Sequence, residues 1–351
     1  MLRWAWLFAE IIVFSALILL TRCANYDDVF VGGRIYFVDA DCYSRMTRAR
    51  MVAQHPGLIV RRHEFENYPA GVIPHTTAPF DYLIVALAKL FSPFTAQPLD
   101  LAGALVSPLL ALGSGWFLWW WSRRLGFRYR WAALLVFALS PILAHGSALG
   151  RPDHQALLMA LLLVALAAEW ALLGEPGRGW AIVSGLSWGM ALWVSIYEPL
   201  LLLVALLGVH SLHRRGQLWA SRRRIGWYFL LGMILLAALI ERRAPQWPAA
   251  EMHAFFLRWS ATVGELSRVS LTSAAWWQWG GALLVLAPLL FIPALQRRAI
   301  PPVFALLFAV ALLLTIWQAR WGYFLLLILA LTTPALLEVV RQGWLLSLIH
   351  I

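Results

Sequence analysis

The chain has 351 residues, 62% of them apolar and only 13% charged, and its formal net charge is +11. Soluble domains hold about 45–50% apolar and about 25% charged residues, so these figures exclude a water-soluble globule and a disordered chain alike. Lys89 is the only lysine, which leaves 27 arginines among the 28 basic residues; the two cysteines, Cys23 and Cys42, are too few for a disulfide framework or a thiolate metal site.

In chain order, an apolar run from Trp4 to Leu20 follows one leading Arg. No small-residue cleavage site comes after it, which predicts an uncleaved signal-anchor. Residues 21–100 form a long polar stretch bearing Asp27, Asp28, Asp39, Asp41, Glu64, Glu66 and Asp81. Inside it, Phe80–Phe91 carries Asp81 and Lys89 and is expected to lie along the interface rather than cross. Further apolar runs lie near 101–121, 131–147, 154–173, 180–196, 198–212, 226–241, 278–295, 301–317 and 321–340. The pattern predicts an all-α polytopic membrane protein of about ten transmembrane helices. Residues 1–345 are expected to form one transmembrane domain. The tail Leu346–Ile351 (LSLIHI) is what one reading frame of a common transposase sequencing adapter encodes. It is expected to be an artefact, with the natural protein continuing beyond the last span.

The connections SRRLGFRYR, HSLHRRGQLWASRRR and LQRRA are strongly basic. The positive-inside rule places them and the N-terminus in the cytoplasm of an inner or plasma membrane. Alternation then sends 21–100, 147–153, 242–277 and the turn at 318–321 to the outer face. Trp119, Trp120, Trp121, Trp276, Trp277 and Trp279 fall at predicted boundaries, as interfacial belt residues.

The outer segments gather Asp39, Asp41, Asp153 and Glu265 beside Arg45, Arg48, Arg50, Arg151 and Arg320. Asp39 and Asp41, two residues apart, are oxygen ligands suited to a hard divalent cation, or else two solvated loop acids. Asp153 in GRPDHQ is either a helix cap or a second ligand. Asp41 and Asp153 come from different outer loops, and a cation between them would offset their repulsion. His154 or Gln155 could add a ligand. Arg320 suits an anionic headgroup or a simple interfacial position. Glu198, before Pro199, marks a tight hairpin or a buried acid that needs a partner. The histidines His63, His75, His145, His210 and His213 lack zincin spacing, and no P-loop, Rossmann or Gly-x-Ser-x-Gly motif occurs. Basic loops without a groove-reading motif give no reason to expect nucleic acid.

The order of these outer motifs resembles the GT-C membrane glycosyltransferases, above all the catalytic subunit of oligosaccharyltransferases. DADCYSRMTRAR after the first span is similar to the family's first acidic motif, with Asp41 at the metal-binding carboxylate and Tyr43 two places on. NYPAGVIPHTTAPFDYLIVALAKLF resembles the loop that ends in an interface helix, with His75 a secondary candidate. LGRPDHQALL matches the Asp-His-His motif at Asp153 and His154 and departs from it at Gln155. TVGE places Glu265 at the motif near acceptor and metal, and QARWGYF places Arg320 at the pyrophosphate-binding Arg. The family's thirteen spans and its soluble domain with a Trp-Trp-Asp-Tyr-Gly motif are not matched; Trp276–Gly280 lacks the Asp.

The resemblance implies inverting transfer of a sugar or oligosaccharide from a polyprenyl-(pyro)phosphate donor to a protein or glycan acceptor at the outer face. It assigns Asp41, Asp153 and Glu265 to catalysis. Mg²⁺ or Mn²⁺ would be held by Asp41 and Asp153 with Gln155 or His154, and the donor phosphates by Arg320 and Arg151. Asp39, His75 and Glu198 are secondary. The rivals are a transferase using polyprenyl-monophosphate sugars, with no obligatory metal, and a transporter or flippase, against which the long asymmetric outer loops argue.

Overall fold

The computed structural model describes residues 2–74, 76–174, 177–213, 219–242, 258 and 262–349. Every apolar run in the sequence is helical. The first span is α1 (Leu2–Arg22), followed in the polar stretch by α2 (Tyr26–Val29), α3 (Ala40–Gln54) and α4 (Ala78–Phe91). A minimal hairpin pairs Phe30–Val31 with Arg34–Ile35, a small departure from the all-α expectation. Next come α5 (Pro98–Arg124), α6 (Arg130–Leu139), α7 (Pro141–His145), α8 (His154–Gly174), α9 (Arg178–Val194) and α10 (Tyr197–His213). The last four are α11 (Ser221–Glu241), α12 (Ala275–Gln296), α13 (Pro302–Trp317) and α14 (Gly322–Ile349).

Among the described residues six helices are long and apolar enough to cross a membrane: Trp4–Arg22, Pro98–Arg124, His154–Gly174, Ser221–Glu241, Ala275–Gln296 and Ala319–Gly343. The chain is an integral membrane protein. The 14-residue α4 would be about 21 Å long, short of a hydrocarbon core of about 30 Å, as its charges suggested. Its inner face buries Phe80, Ile84 and Ala88 against α3 and α5, and Asp81 there is ion-paired to Arg45 at 2.9 Å and Arg48 at 3.5 Å.

The core centres on α14, where every residue from Tyr323 to Leu331 is at most 2% exposed. The run at 131–147 is broken in two: Ser140 is extended, and Pro141 cannot continue the helix before it. The carbonyls freed at the end of α6 are taken up by Arg22. This fully buried guanidinium donates to Phe137 O at 2.7 Å and to Ala138 O, which suits a cation at a helix C-terminus. Helices α9 and α11 meet backbone to backbone, since a Cβ at Gly185 would fall 2.0 Å from the Gly226 carbonyl oxygen.

Two tryptophans depart from the belt expectation. Trp121 and Trp276 are buried, and their indole N–H groups donate to Ala167 O (2.9 Å) and Ser270 O (2.8 Å). An indole with a carbonyl in reach is a core residue wherever it falls along a run. Trp120 and Trp277 are exposed, as belt residues should be.

Candidate active site

Backbone pairing builds one end of the bundle. Leu149 N–H donates to Arg22 O (2.8 Å), Gly150 N–H to Ala104 O (3.0 Å), and Val38 N–H to Gly150 O (3.0 Å). The α7–α8 connection is thereby pinned between the end of α1, the start of α5 and the residue just before Asp39. Gly150 is required there. Its φ is +70°, and a Cβ would lie 2.7 Å from Val29 Cγ2 and 3.1 Å from Tyr36 O.

Asp39 is the N-cap of α3, its Oδ1 accepting from Cys42 N–H at 2.9 Å, so Asp41 falls in the first helical turn. Across the pin, Arg151 Nη1 lies 3.7 Å from Asp39 Oδ2, and Arg151 Nη2 donates to Glu265 Oε1 at 2.8 Å. Glu265 rides on a 3-10 turn, Gly264–Leu266. The segment after it is docked to the α13–α14 turn: Ala319 N–H donates to Ser267 O (2.9 Å) and Val269 N–H to Ile316 O (3.1 Å). Four sequence-distant connections therefore meet at one end. A fifth joins them. Ser195 is extended between α9 and α10, so Glu198 follows a tight hairpin and yet is fully buried; it accepts from Ser195 Oγ at 2.7 Å and is ion-paired to Arg320.

The charges at this end do not balance. Burial raises the Asp41 carboxyl above its ordinary value, and the negative charges of Asp39, Asp153, Glu66 and Glu265 raise it further. For Asp153 burial also pushes upward but is outweighed. His154 Nδ1 at 2.6 Å, then Arg151 and Arg45, hold that carboxyl far below the usual range. Gln155, in the first turn of α8, is buried with its amide Nε2 unpartnered. His75 lies outside the described residues.

Asp41, Asp153, Asp39, Glu265 and Arg151 thus form one electrostatic unit, while Arg320 and Glu198 form a neighbouring pair. Among the described residues no three His, Cys, Asp or Glu side chains converge as a closed metal cage. The Gln155 Nε2 is a hydrogen-bond donor suited to a substrate oxygen rather than to an ion; what the site offers a cation is a pair of carboxylates in mutual repulsion. That donor set suits Mg²⁺ or Mn²⁺, which bind through one or two carboxylates and complete their shells with water and substrate oxygens.

Two site residues escaped the sequence reading. His145 Nδ1 is 2.9 Å from Tyr323 Oη, His145 Nε2 is 2.9 Å from Arg151 Nη1, and Tyr323 Oη donates to Glu265 Oε1 at 3.1 Å. Both sit at the tips of apolar runs. Their signal was position: polar groups where α7 ends and α14 begins, at the acid-bearing end.

No family model matches the chain, and no curated protein matches it in sequence. Solved structures do match in fold. The archaeal oligosaccharyltransferase AglB of Archaeoglobus fulgidus, in complex with an inhibitory peptide and a dolichol-phosphate, aligns with TM-score 0.68 and 18% identity over 97% of this chain and 51% of its own. ArnT from Cupriavidus metallidurans bound to undecaprenyl phosphate aligns with TM-score 0.61 and 17% identity over 99% of this chain and 62% of its own. The chain shares its fold with both proteins. The Archaeoglobus enzyme has also been solved with zinc and sulfate, and that structure aligns with TM-score 0.67 and 18% identity over 95% of this chain and 49% of its own. The chain spans about half the length of AglB and 62% of the length of ArnT. It therefore shares their GT-C transmembrane architecture, at identities that speak for the fold alone.

Proposed function

We propose that this GT-C chain is a glycosyltransferase. It moves a sugar or oligosaccharide from a polyprenyl-(pyro)phosphate donor to a protein or glycan acceptor at the outer face of the membrane, in the manner of an oligosaccharyltransferase. The observation that carries the reading is the surplus of negative charge around Asp41, drawn from three loops onto one end of the bundle. Such crowding has no use in packing; it suits a site that receives a cation and a charged substrate. At the other end of α8 the described Arg223, from one of the basic connections, pairs with Glu169, which supports an outward-facing site.

Asp41 and Asp153 would hold Mg²⁺ or Mn²⁺, with the Gln155 amide or His154 as further donors. The bound ion supplies charge stabilisation for the phosphate that leaves the anomeric carbon. Glu265, held by Arg151 and Tyr323, orients the acceptor through its second carboxylate oxygen. Arg320 faces the donor phosphates. Anchored at Glu198, it retains a buried Nε–H without an acceptor among the described residues, a donor suited to a phosphate oxygen. Arg151 keeps such an Nε–H as well.

A second reading has its own support: the likeness to ArnT with undecaprenyl phosphate, together with Gln155 where the related motif carries His. In it the donor is a polyprenyl monophosphate sugar, and Asp41 acts as base without an obligatory metal. Transfer of a labelled lipid-linked sugar by the full chain in detergent separates the two. Chelation with EDTA should stop transfer and Mn²⁺ should restore it; transfer that persists under chelation favours the monophosphate reading.

A further inference from the structure

We infer that His145 and Tyr323 are positioning residues: with Arg151 and Glu265 they close a hydrogen-bonded ring, running by two routes from the Arg151 guanidinium, that fixes the Glu265 carboxylate. The inference rests on the reading of Glu265 as the acceptor-orienting group. Chemistry sets the direction of every bond. A guanidinium can only donate, so the contact between Arg151 Nη1 and His145 Nε2 at 2.9 Å requires a lone pair on Nε2. The neutral ring then carries its proton on Nδ1 and donates to Tyr323 Oη at 2.9 Å. The hydroxyl, having accepted there, has its own proton left for Glu265 Oε1 at 3.1 Å. Arg151 Nη2 donates to the same oxygen at 2.8 Å and closes the ring.

Four elements are locked together: α7, the α7–α8 connection, the 3-10 turn of Glu265 and the first turn of α14. Packing reinforces them. The His145 and Tyr323 rings lie nearly parallel at 9°, and a Cβ on Gly146 would fall 2.7 Å from Tyr323 Cε1, so the phenol is seated against bare backbone. Both donors converge on Oε1, and among the described residues Oε2 has no protein partner. One oxygen is thus consumed in holding the group, and the other is presented at a defined angle. Fixing a reacting group in this way is worth rate rather than affinity.

The test uses the full chain in detergent and two readouts. The first is independent of transfer: nitrogen NMR on protein carrying ¹⁵N-histidine, with the His145 signals identified by their loss in His145→Gln. The ring demands the neutral Nδ1–H tautomer, the less common one for a free imidazole, and Tyr323→Phe should release that preference. The second is transfer of the labelled lipid-linked sugar. Tyr323→Phe should lower kcat by about 10-fold with the donor KM and the thermal midpoint unchanged. The double variant Tyr323→Phe/His145→Gln should be no slower than the slower single variant, as members of one unit are. An Nε2–H ring at His145 overturns the inference, as does full kcat in Tyr323→Phe, or a loss of kcat matched by an equal loss of folded protein. A wild-type chain that transfers no sugar while His145 carries its Nδ1 proton overturns the functional reading instead and leaves the ring standing.

Discussion

Two clusters of carboxylate and guanidinium stand at opposite ends of α8, and they differ in how their charges close. At the far end Glu169 accepts from Ser184 Oγ at 2.6 Å and from Arg223 Nη2 at 2.5 Å, with His210 Nε2 at 4.0 Å. One acid meets one base, and both are buried. Sixteen residues earlier in the chain, about 24 Å along the helix, Asp39, Asp153 and Glu265 share Arg151, while Asp41 faces further carboxylates. The balanced cluster ties α8, α9 and α11 together. In the unbalanced one the Asp41 carboxyl is raised by burial and then by the neighbouring carboxylates, which suits the proposed uptake of a cation. The proposed chemistry therefore belongs to the end where the carboxylates crowd, not to the end where an ion pair is most buried.

The largest effect that sharpens this contrast is on transfer. Asp41→Ala or Asp153→Ala should each remove transfer of the labelled sugar, by at least about 100-fold, while leaving the thermal midpoint in place. The double variant should be no worse than either single one. At the balanced end the expectation inverts. Glu169→Ala leaves Arg223 buried without its partner and should cost about 3–5 kcal/mol of stability, read by thermal or denaturant unfolding in detergent, with transfer per folded molecule unchanged. A smaller effect is expected at the pin between loops. Gly150→Ala forces a side chain into a left-handed backbone and should cost about 1–2 kcal/mol. Because Val38 and Arg151 flank that glycine, the rate should also fall a few-fold. An unaltered rate in that variant would mean that the Val38–Gly150 contact does not register the two acidic segments.

Much of this was legible in the sequence, for physical reasons. Hydrophobic runs can be read one segment at a time, so all ten runs emerge as helical, six helices among the described residues are long and apolar enough to cross a membrane, and α4 stays too short. The acid-bearing connections meet because alternation forces them to one end. Partnership was less visible. Arg320 pairs with Glu198, 122 positions away in the chain: Glu198 showed both the hairpin and the need for a partner, but nothing local says which base supplies it. His145 and Tyr323 lie at helix tips inside apolar runs, where a lone polar residue carries no periodic signal. Trp121 and Trp276 sit at run ends and read as belt residues. Only the opposing carbonyls of Ala167 and Ser270 make them core.

The central claim is that Asp41 and Asp153 act as one cation-holding unit, and Mn²⁺ binding tests it without reference to any substrate. Electron paramagnetic resonance on the full chain in detergent should detect one bound Mn²⁺ per chain, lost in Asp41→Ala and lost equally in Asp153→Ala. Binding should weaken on acidification, starting above the ordinary aspartate value of 3.8, because burial and then the neighbouring carboxylates make Asp41 hold its proton more tightly than usual. Protons and Mn²⁺ then compete for the same oxygen atoms, and the ion is displaced as the pH falls. Mn²⁺ bound equally well by the wild type and by both alanine variants would contradict the account.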